Sequence, residues 1–476
     1  MPLLVGLADA SEVRRNPDLP MHTFSNGQTG IAMVNGRVVF DDDDLAGHVD
    51  LAELAARQHK GGNILDSMFN MANSILGAGI IGLPYAVSQA GFVTGIFLLV
   101  VLAGVTDWTI RLIVRNAKLS GRTSYIDIMG HCYGSSGRAA VSFFQFAFAF
   151  GGMCAFGIII GDTIPHVIRS IFPTLSTIPH DPCALNTHAQ ELYCHSVHHM
   201  HFVPTFALPV YRFSCKSKYV CIGRNGHDCR NGAIRRGPRL ARSQRITGTV
   251  DQVFIYPAVS PIFQAIGVIS FAFVCHHNSL LIYGSMHTPT MDRFDRVTHV
   301  AAGVSLIACL TMAIPAFLVF TDRTQGNVLN NFPQNDAIIN IARFCFGANM
   351  VTTTPMELMV CREVIEEYFF AHEPFDQTRH VLFTTSILFA SMAVALVTCD
   401  LGVMLEITGG ASATALAFVF PALCYIKLLP AREPWNGRAK LPAIVCAAFG
   451  VLVLVLSVGL ALRKAWGPEG ATRLCA

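Results

Sequence analysis

The chain has 476 residues, 52% of them hydrophobic and only 14% charged, against about 25% charged in an average soluble domain, and its mean hydropathy is +0.47. That balance excludes an ordinary soluble protein and marks a polytopic membrane protein held in a lipid bilayer. A net charge of +3 spread over this length excludes nucleic acid as a partner, which needs a clustered basic face, and nothing calls for an enzyme or an organic cofactor.

Residues 1–60 are mostly polar, include the acidic run Asp41 to Asp44 and lack the apolar core of a signal peptide, so they read as a disordered cytosolic tail. Residues 61–465 form the membrane domain and 466–476 a C-terminal tail. Taking roughly 20 apolar residues as one crossing, spans are expected near 63–87, 92–114, 139–165, 254–285, 297–320, 337–361, 380–399, 401–427 and 441–462. These are nine visible spans of an all-α protein. The first is the most informative. It carries Asn63, Asp66, Asn70 and Asn73 and is interrupted by Gly77-Ala78-Gly79. Polar groups at membrane depth are costly unless they face a partner or a wet cavity, and glycines there let the backbone unwind and offer bare N–H and C=O groups to a ligand. A solute site on this helix is the expectation.

Lys and Arg sort to one side. The loop after the second span holds Arg111, Arg115, Lys118, Arg122 and Arg138, and alternate loops add Arg293, Arg296, Arg362, Arg379, Lys427, Arg432, Arg438 and Lys440. The opposite short loops hold only Arg323. The positive-inside bias therefore puts the N-terminus in the cytosol.

Between the third and fourth visible spans, residues 175–250 are rich in His, Cys and Arg and contain no apolar run long enough to cross. One reading is a large non-cytosolic loop. His195, His198, His199, His201, Cys194, Cys215, Cys221 and Cys229 supply zinc-type ligands, but their spacing matches no paired-cysteine repeat. Another reading comes from the genetic code. Both 190–209 and 211–233 can be written in codons that become membrane-length apolar segments when read one nucleotide later. A frameshift or misplaced splice junction would then hide two helices, giving eleven in all, and these histidines and cysteines would have no role. Cysteines within apolar spans, such as Cys154, Cys275, Cys309, Cys361 and Cys446, behave as small hydrophobes, and no disulfide framework is expected.

Three segments carry a family resemblance: NMANSILGAGIIGLPYA beginning at Asn70, SFAFVCHHNSLLIYGS at 270–285 and NMVTTTPMELMVCREV at 349–364. Together they resemble the amino acid/auxin permease family, most of all its fungal vacuolar amino acid transporters and sodium-coupled neutral amino acid transporters. The likeness covers about residues 60–465 except 175–250. It implies a LeuT-like inverted repeat of two five-helix halves with broken first and sixth helices, plus an eleventh helix. The span at 254–285 would be the sixth, and the fourth and fifth would be the two lost to the frameshift-like region.

An amino acid zwitterion needs donors for its carboxylate and acceptors for its ammonium. The amides around Gly77, Ala78 and Gly79 would face the carboxylate, because a half-helix N-terminus is partly positive; the same residues also fit a packing seam of small side chains. Ser270, Phe271, Ala272 and Phe273 would be the matching break, with carbonyls toward the ammonium, and also fit an uninterrupted apolar helix. The resemblance gives Asn73 and Thr353 as ligands of the coupling cation, H+ or Na+. Asn73 also fits an interhelical hydrogen bond, and Thr353 a side chain bonded back to its own helix. Glu357 and Glu406 are candidate proton relays, with a structural role open to Glu406 beside Thr408-Gly409-Gly410. Asp107 and Trp108 read as interfacial, and His276 and His277 as packed or cytosol-facing.

The implied function is a monomeric secondary transporter that moves neutral L-amino acids across an endomembrane, the vacuole, by alternating access with cation coupling. The rivals are a non-transporting amino acid sensor, an inactive degenerate carrier and an intramembrane metalloenzyme using the His/Cys cluster. Transcript sequence across codons 175–250, compared with genomic DNA, should reveal an indel or an unspliced junction. An intact frame would leave the fourth and fifth helices absent.

Overall fold

Long runs of Leu, Ile, Val, Phe and Ala satisfy their own backbone hydrogen bonds as helices, the form an open chain must take in lipid. The computed structural model describes residues 32–34, 37–39, 63–171, 259–334, 336–370, 373–398, 400–430 and 434–466, and these are helical almost throughout. The chain runs through α1 (Ile64–Ile75), α2 (Gly79–Ala90), α3 (Phe92–Ser120), α4 (Tyr125–Ile171), α5 (Val259–Phe273), α6 (His276–Ser285), α7 (Met291–Phe320), α8 (Ala337–Phe369), α9 (Gln377–Thr398), α10 (Leu401–Ile407), α11 (Phe420–Leu428) and α12 (Lys440–Trp466). Ahead of them Ala32–Val34 pairs antiparallel with Arg37–Val39, Met33 opposite Val38. The zinc-like cluster and the segment 175–250 lie outside the described residues.

All nine expected spans are helical. Among the described residues seven runs are long and apolar enough to cross a membrane, and the pair α1–α2, bent by 52°, makes an eighth. The exception is α8, whose 33 residues include Arg343, Asn349, three consecutive threonines and Glu357. This helix tolerates them because it is wrapped by others, above all along α4. The span expected at 139–165 is longer than its apolar core: helix begins at Tyr125 and turns at Gly134, where φ is +64°, a value that glycine alone adopts readily. Burial grades outward. The best apolar window is 78% buried in the run Pro261–Ser285 and 72% in α4, but only 28% in α12 and 22% in α9. Phe389, Val397, Val451 and Val455 stay exposed, so these two helices present an apolar face to lipid.

Inside, α5 lies against α2, α10 and the residues following α10, while α7 covers α1, α2 and α3. Close backbone approach makes this possible at two places. A Cβ on Gly79 would collide with Ala272, which holds α2 against α5, and a Cβ on Gly409 would collide with the carbonyl of Gly267. Between α10 and α11 the chain widens into π-helix over Thr408–Ala413 and Ala415–Val419, where the Thr414 hydroxyl donates to the Gly409 carbonyl at 2.9 Å. Thr408, Gly409 and Gly410 open this wide turn. Near it the Tyr85 hydroxyl of α2 donates to Glu406 Oε1 at 2.7 Å.

Overpacking a tight contact costs about 1–3 kcal/mol. Gly409→Ala should lower the detergent melting temperature by several degrees, while Gly104→Ala, with nothing within 4 Å of the added carbon, should leave it unchanged. Equal melting of the two variants would mean that the α5 contact is not tight.

Candidate functional site

Both broken helices end at one cavity. Helix α1 stops at Ile75; the Leu76 N–H still donates to the Ala72 carbonyl at 2.9 Å, and Gly77 and Ala78 lead on to α2, which starts at Gly79. Helix α5 stops at Phe273, and Val274 and Cys275 carry the chain to α6, Cys275 at φ −136° and ψ 20°. Each interruption strands backbone groups, since the first N–H groups and the last C=O groups of a helix lack intrahelical partners. The cavity between them encloses about 50 Å³, several times the ~10–15 Å³ that one water needs. One wall is Ser74, Ile75, Gly77, Ala78 and Gly79, with Phe271 and Val274 from the second break. The facing wall is Phe148, Gly152 and Phe156 of α4 with His277 and Glu357.

The glycine pattern located the first break correctly: Gly77, Ala78 and Gly79 all line the cavity. The second break falls later than expected. Ser270 to Phe273 are the last turn of α5, and the interruption is at Val274 and Cys275. Of the four predicted residues Phe271 lines the cavity, its ring 5.4 Å from that of Phe148. Ala272 instead packs on Gly79, Phe273 is fully buried, and Ser270 is buried with its hydroxyl unpartnered. The Ser270 carbonyl accepts from the Val274 N–H at 3.1 Å, which leaves those of Phe271, Ala272 and Phe273 at the helix end.

Asn73 and Thr353 are not brought to the cavity lining. Spacings of three, four and three place Asn63, Asp66, Asn70 and Asn73 on one stripe of α1, and all four are exposed, while Ser67, Met71 and Ile75 form the buried face. The Asn63 amide caps onto Asp66 at 3.2 Å. The polar residues that marked this helix are thus an outward stripe. Thr353 donates to the Asn349 carbonyl at 2.7 Å, as does Thr352 at 2.9 Å, and Thr354 donates to Met350 at 2.8 Å. All three bond back to the backbone of their own helix one turn earlier.

Several polar groups have structural partners. His276 is fully buried with Nε2 2.9 Å from the Thr109 hydroxyl. Asn278 donates to Ser74 at 3.0 Å. Asp107, expected at an interface, is buried and held by Arg111 at 2.8 Å and His299 at 3.0 Å. Asp162 accepts from Asn327 and Asn330, both at 2.9 Å. Glu357 Oε2 and His277 Nδ1 are buried without a hydrogen-bond partner, and both residues line the cavity. His277 instead lies ring to ring with Phe148 at 5.3 Å. The α4 wall was missed in the sequence, where the adjacent glycines Gly151 and Gly152 in an aromatic-rich run were the available signal. Among the described residues no group of His, Cys, Asp and Glu is arranged to hold a metal ion.

Residues 60–218 and 242–462 match the family model described as transmembrane amino acid transporter protein. The chain is 34% identical over 417 residues to vacuolar amino acid transporter 2 of Saccharomyces cerevisiae, covering 82% of this chain and 81% of that protein. It is also 34% identical over 413 residues to putative sodium-coupled neutral amino acid transporter 11 of Danio rerio, covering 84% and 86%. In fold it matches the crystal structure of MhsT in complex with L-phenylalanine, with a TM-score of 0.51 at 13% identity, over 85% of this chain and all of that one.

A Cβ on Gly152 would rest 4.0 Å from Glu357 Cγ, so Gly152→Ala should be accommodated while Gly152→Leu fills the cavity. The leucine variant should lose at least tenfold of the affinity for any amino acid that raises the wild-type melting temperature, with its own melting temperature little changed. Wild-type affinity in that variant would remove the cavity from the binding site.

Proposed function

The chain belongs to the transmembrane amino acid transporter protein family and is an integral multi-pass membrane protein, and on that premise we propose that it is a secondary active carrier of neutral L-amino acids. The observation that carries the reading is the meeting of two interrupted helices at one cavity. Stranded amides at the start of α2 suit a carboxylate, and carbonyls ending α1 and α5 suit an ammonium, so both poles of a zwitterion are served by backbone. Side chains on the α4 and α8 wall then meet the substrate's own side chain.

Two five-helix halves of opposite orientation, each opened by a broken helix, rationalise this pairing of α1–α2 with α5–α6. Alternating access then consists of one set of helices rocking against the other about the breaks. A vacuolar membrane, with the N-terminus in the cytosol, is proposed from the yeast relative's name and from the Lys and Arg bias of the loops. Cation coupling is in keeping with the name of the zebrafish relative. For its site the resemblance offers Asn73 and Thr353, and their exposure and back-bonding do not support that choice.

A displaced reading frame within 175–250 is part of the proposal. The family match pauses at 219–241, which supports a local departure from the family there. Its continuity to residue 218 is an argument against beginning that departure as far back as 175.

The test is uptake of radiolabelled L-alanine, L-glutamine and L-leucine, each alone, into liposomes holding the full chain. Accumulation above protein-free liposomes, competed by unlabelled substrate, is the expected result. Saturable binding to the detergent-purified chain without any flux would make it a sensor instead.

A further inference from the structure

Among the carboxylates of the bundle, Glu357 is the one that lines the cavity. Asp107, Asp162 and Glu406 each have hydrogen-bond or ion-pair partners. Glu357 lines the cavity with Oε2 buried and unpartnered, and no Lys or Arg contributes to the lining. An ionised carboxylate in such a place is strongly disfavoured, so something must neutralise it. Three cations are available to a carrier: a charged substrate side chain, sodium or a proton.

The cavity decides among them. The cavity of about 50 Å³ holds a few waters, and beyond Glu357 its wall of Phe148, Gly152, Phe156 and Phe271 gives a cationic side chain no second acceptor. Sodium, a hard ion, needs several oxygens around it. On the wall that Glu357 shares, Phe148, Gly152, Phe156 and His277 offer no side-chain oxygen, the hydroxyl of Ser74 is engaged by Asn278, and the carbonyls that end α1 and α5 belong to the facing wall. A proton needs neither room nor a coordination shell.

We infer that Glu357 is the coupling-proton site of the carrier, an inference that rests on the transport reading above. The carboxylate takes one proton from water on the side to which the cavity is open and becomes a neutral acid. It returns that proton to water on the other side. With Glu357 neutral, the carboxylate of a zwitterion enters a cavity free of like charge; with Glu357 ionised, the two carboxylates repel. Proton and substrate therefore favour each other's binding, and by linkage the effect is reciprocal. The other titratable groups around Glu357 are His277 from α6, Cys154 from α4 and Cys361 on its own helix. Both thiols are buried, and His277 is the one neighbour placed to sense the same proton.

The experiment uses the full chain in liposomes with L-alanine as probe, measuring substrate-evoked proton movement with an internal pH dye. Accumulation under an imposed pH gradient is then compared with isotope exchange at symmetric pH. Wild type should move protons with substrate. In Glu357→Gln the ratio of gradient-driven accumulation to exchange should fall at least tenfold. Glu357→Asp keeps an acid, and its uptake should retain coupling with a displaced pH midpoint. Three results would overturn the inference: wild-type accumulation driven by sodium but not by a pH gradient, an unaltered ratio in Glu357→Gln, or an unaltered midpoint in Glu357→Asp. No alanine exchange by wild type would instead be the failure of the transport reading itself.

Discussion

Gly79 lies so close to Ala272 that no side-chain atom fits between them, and this contact fixes where the two interrupted helices meet. Backbone ends are the expensive feature of any break within a membrane, because no solvent is at hand to pair them. Two breaks held apart would leave two separate groups of stranded amides and carbonyls. Pressed together by glycine, they share one cavity, and a single ligand with an anionic and a cationic end can answer both. The rest of the bundle positions this contact: α7 backs α1 and α2, while α10 and the π-helical segment back α5.

Polar side chains in the surrounding helices divide into two kinds. Most are consumed in holding helices together. Tyr85 ties α2 to Glu406, His276 ties α6 to Thr109, Asn278 ties α6 to Ser74 on α1, and Asn116 donates to the Pro421 carbonyl at 2.8 Å. Buried Arg343 spends its guanidinium on the carbonyls of Leu329, Phe332 and Pro333 and on Asn340, fastening the turn after α7 to α8. Glu357 Oε2 and His277 Nδ1 are among the buried atoms left unpaired, and these two residues face the same space as the breaks.

How much of this was legible in the sequence varies by element, for physical reasons. Apolar length finds helices well, and it found all nine; α8 was recognised although its polar content makes it a poor span by composition, because its apolar residues still cluster within one run. The first break carried its own mark, two glycines around Ala78. The second is made by Val274 and Cys275, neither of which is a helix breaker, so the motif indicated its neighbourhood but not its position. Asn73 was drawn toward the site by its motif, although its spacing from Asn63, Asp66 and Asn70 already placed it on their stripe. The π-helical widening after Ile407 leaves no periodic signature, and the α4 wall emerges only when helices distant in sequence are brought together.

The outward decline in burial, from 78% in the run through α5 and α6 to 22% in α9, also sets how freely the chain can vary over generations. On α9 and α12 the requirement is apolarity facing lipid, which Leu, Ile, Val and Phe meet interchangeably, so drift there has little consequence. Along α4, α5 and the π-helical segment most positions within the apolar core are buried, and a replacement there must match shape as well as polarity. Sequences diverging from this one should therefore accumulate their differences at the rim of the bundle and keep their identities around the two breaks.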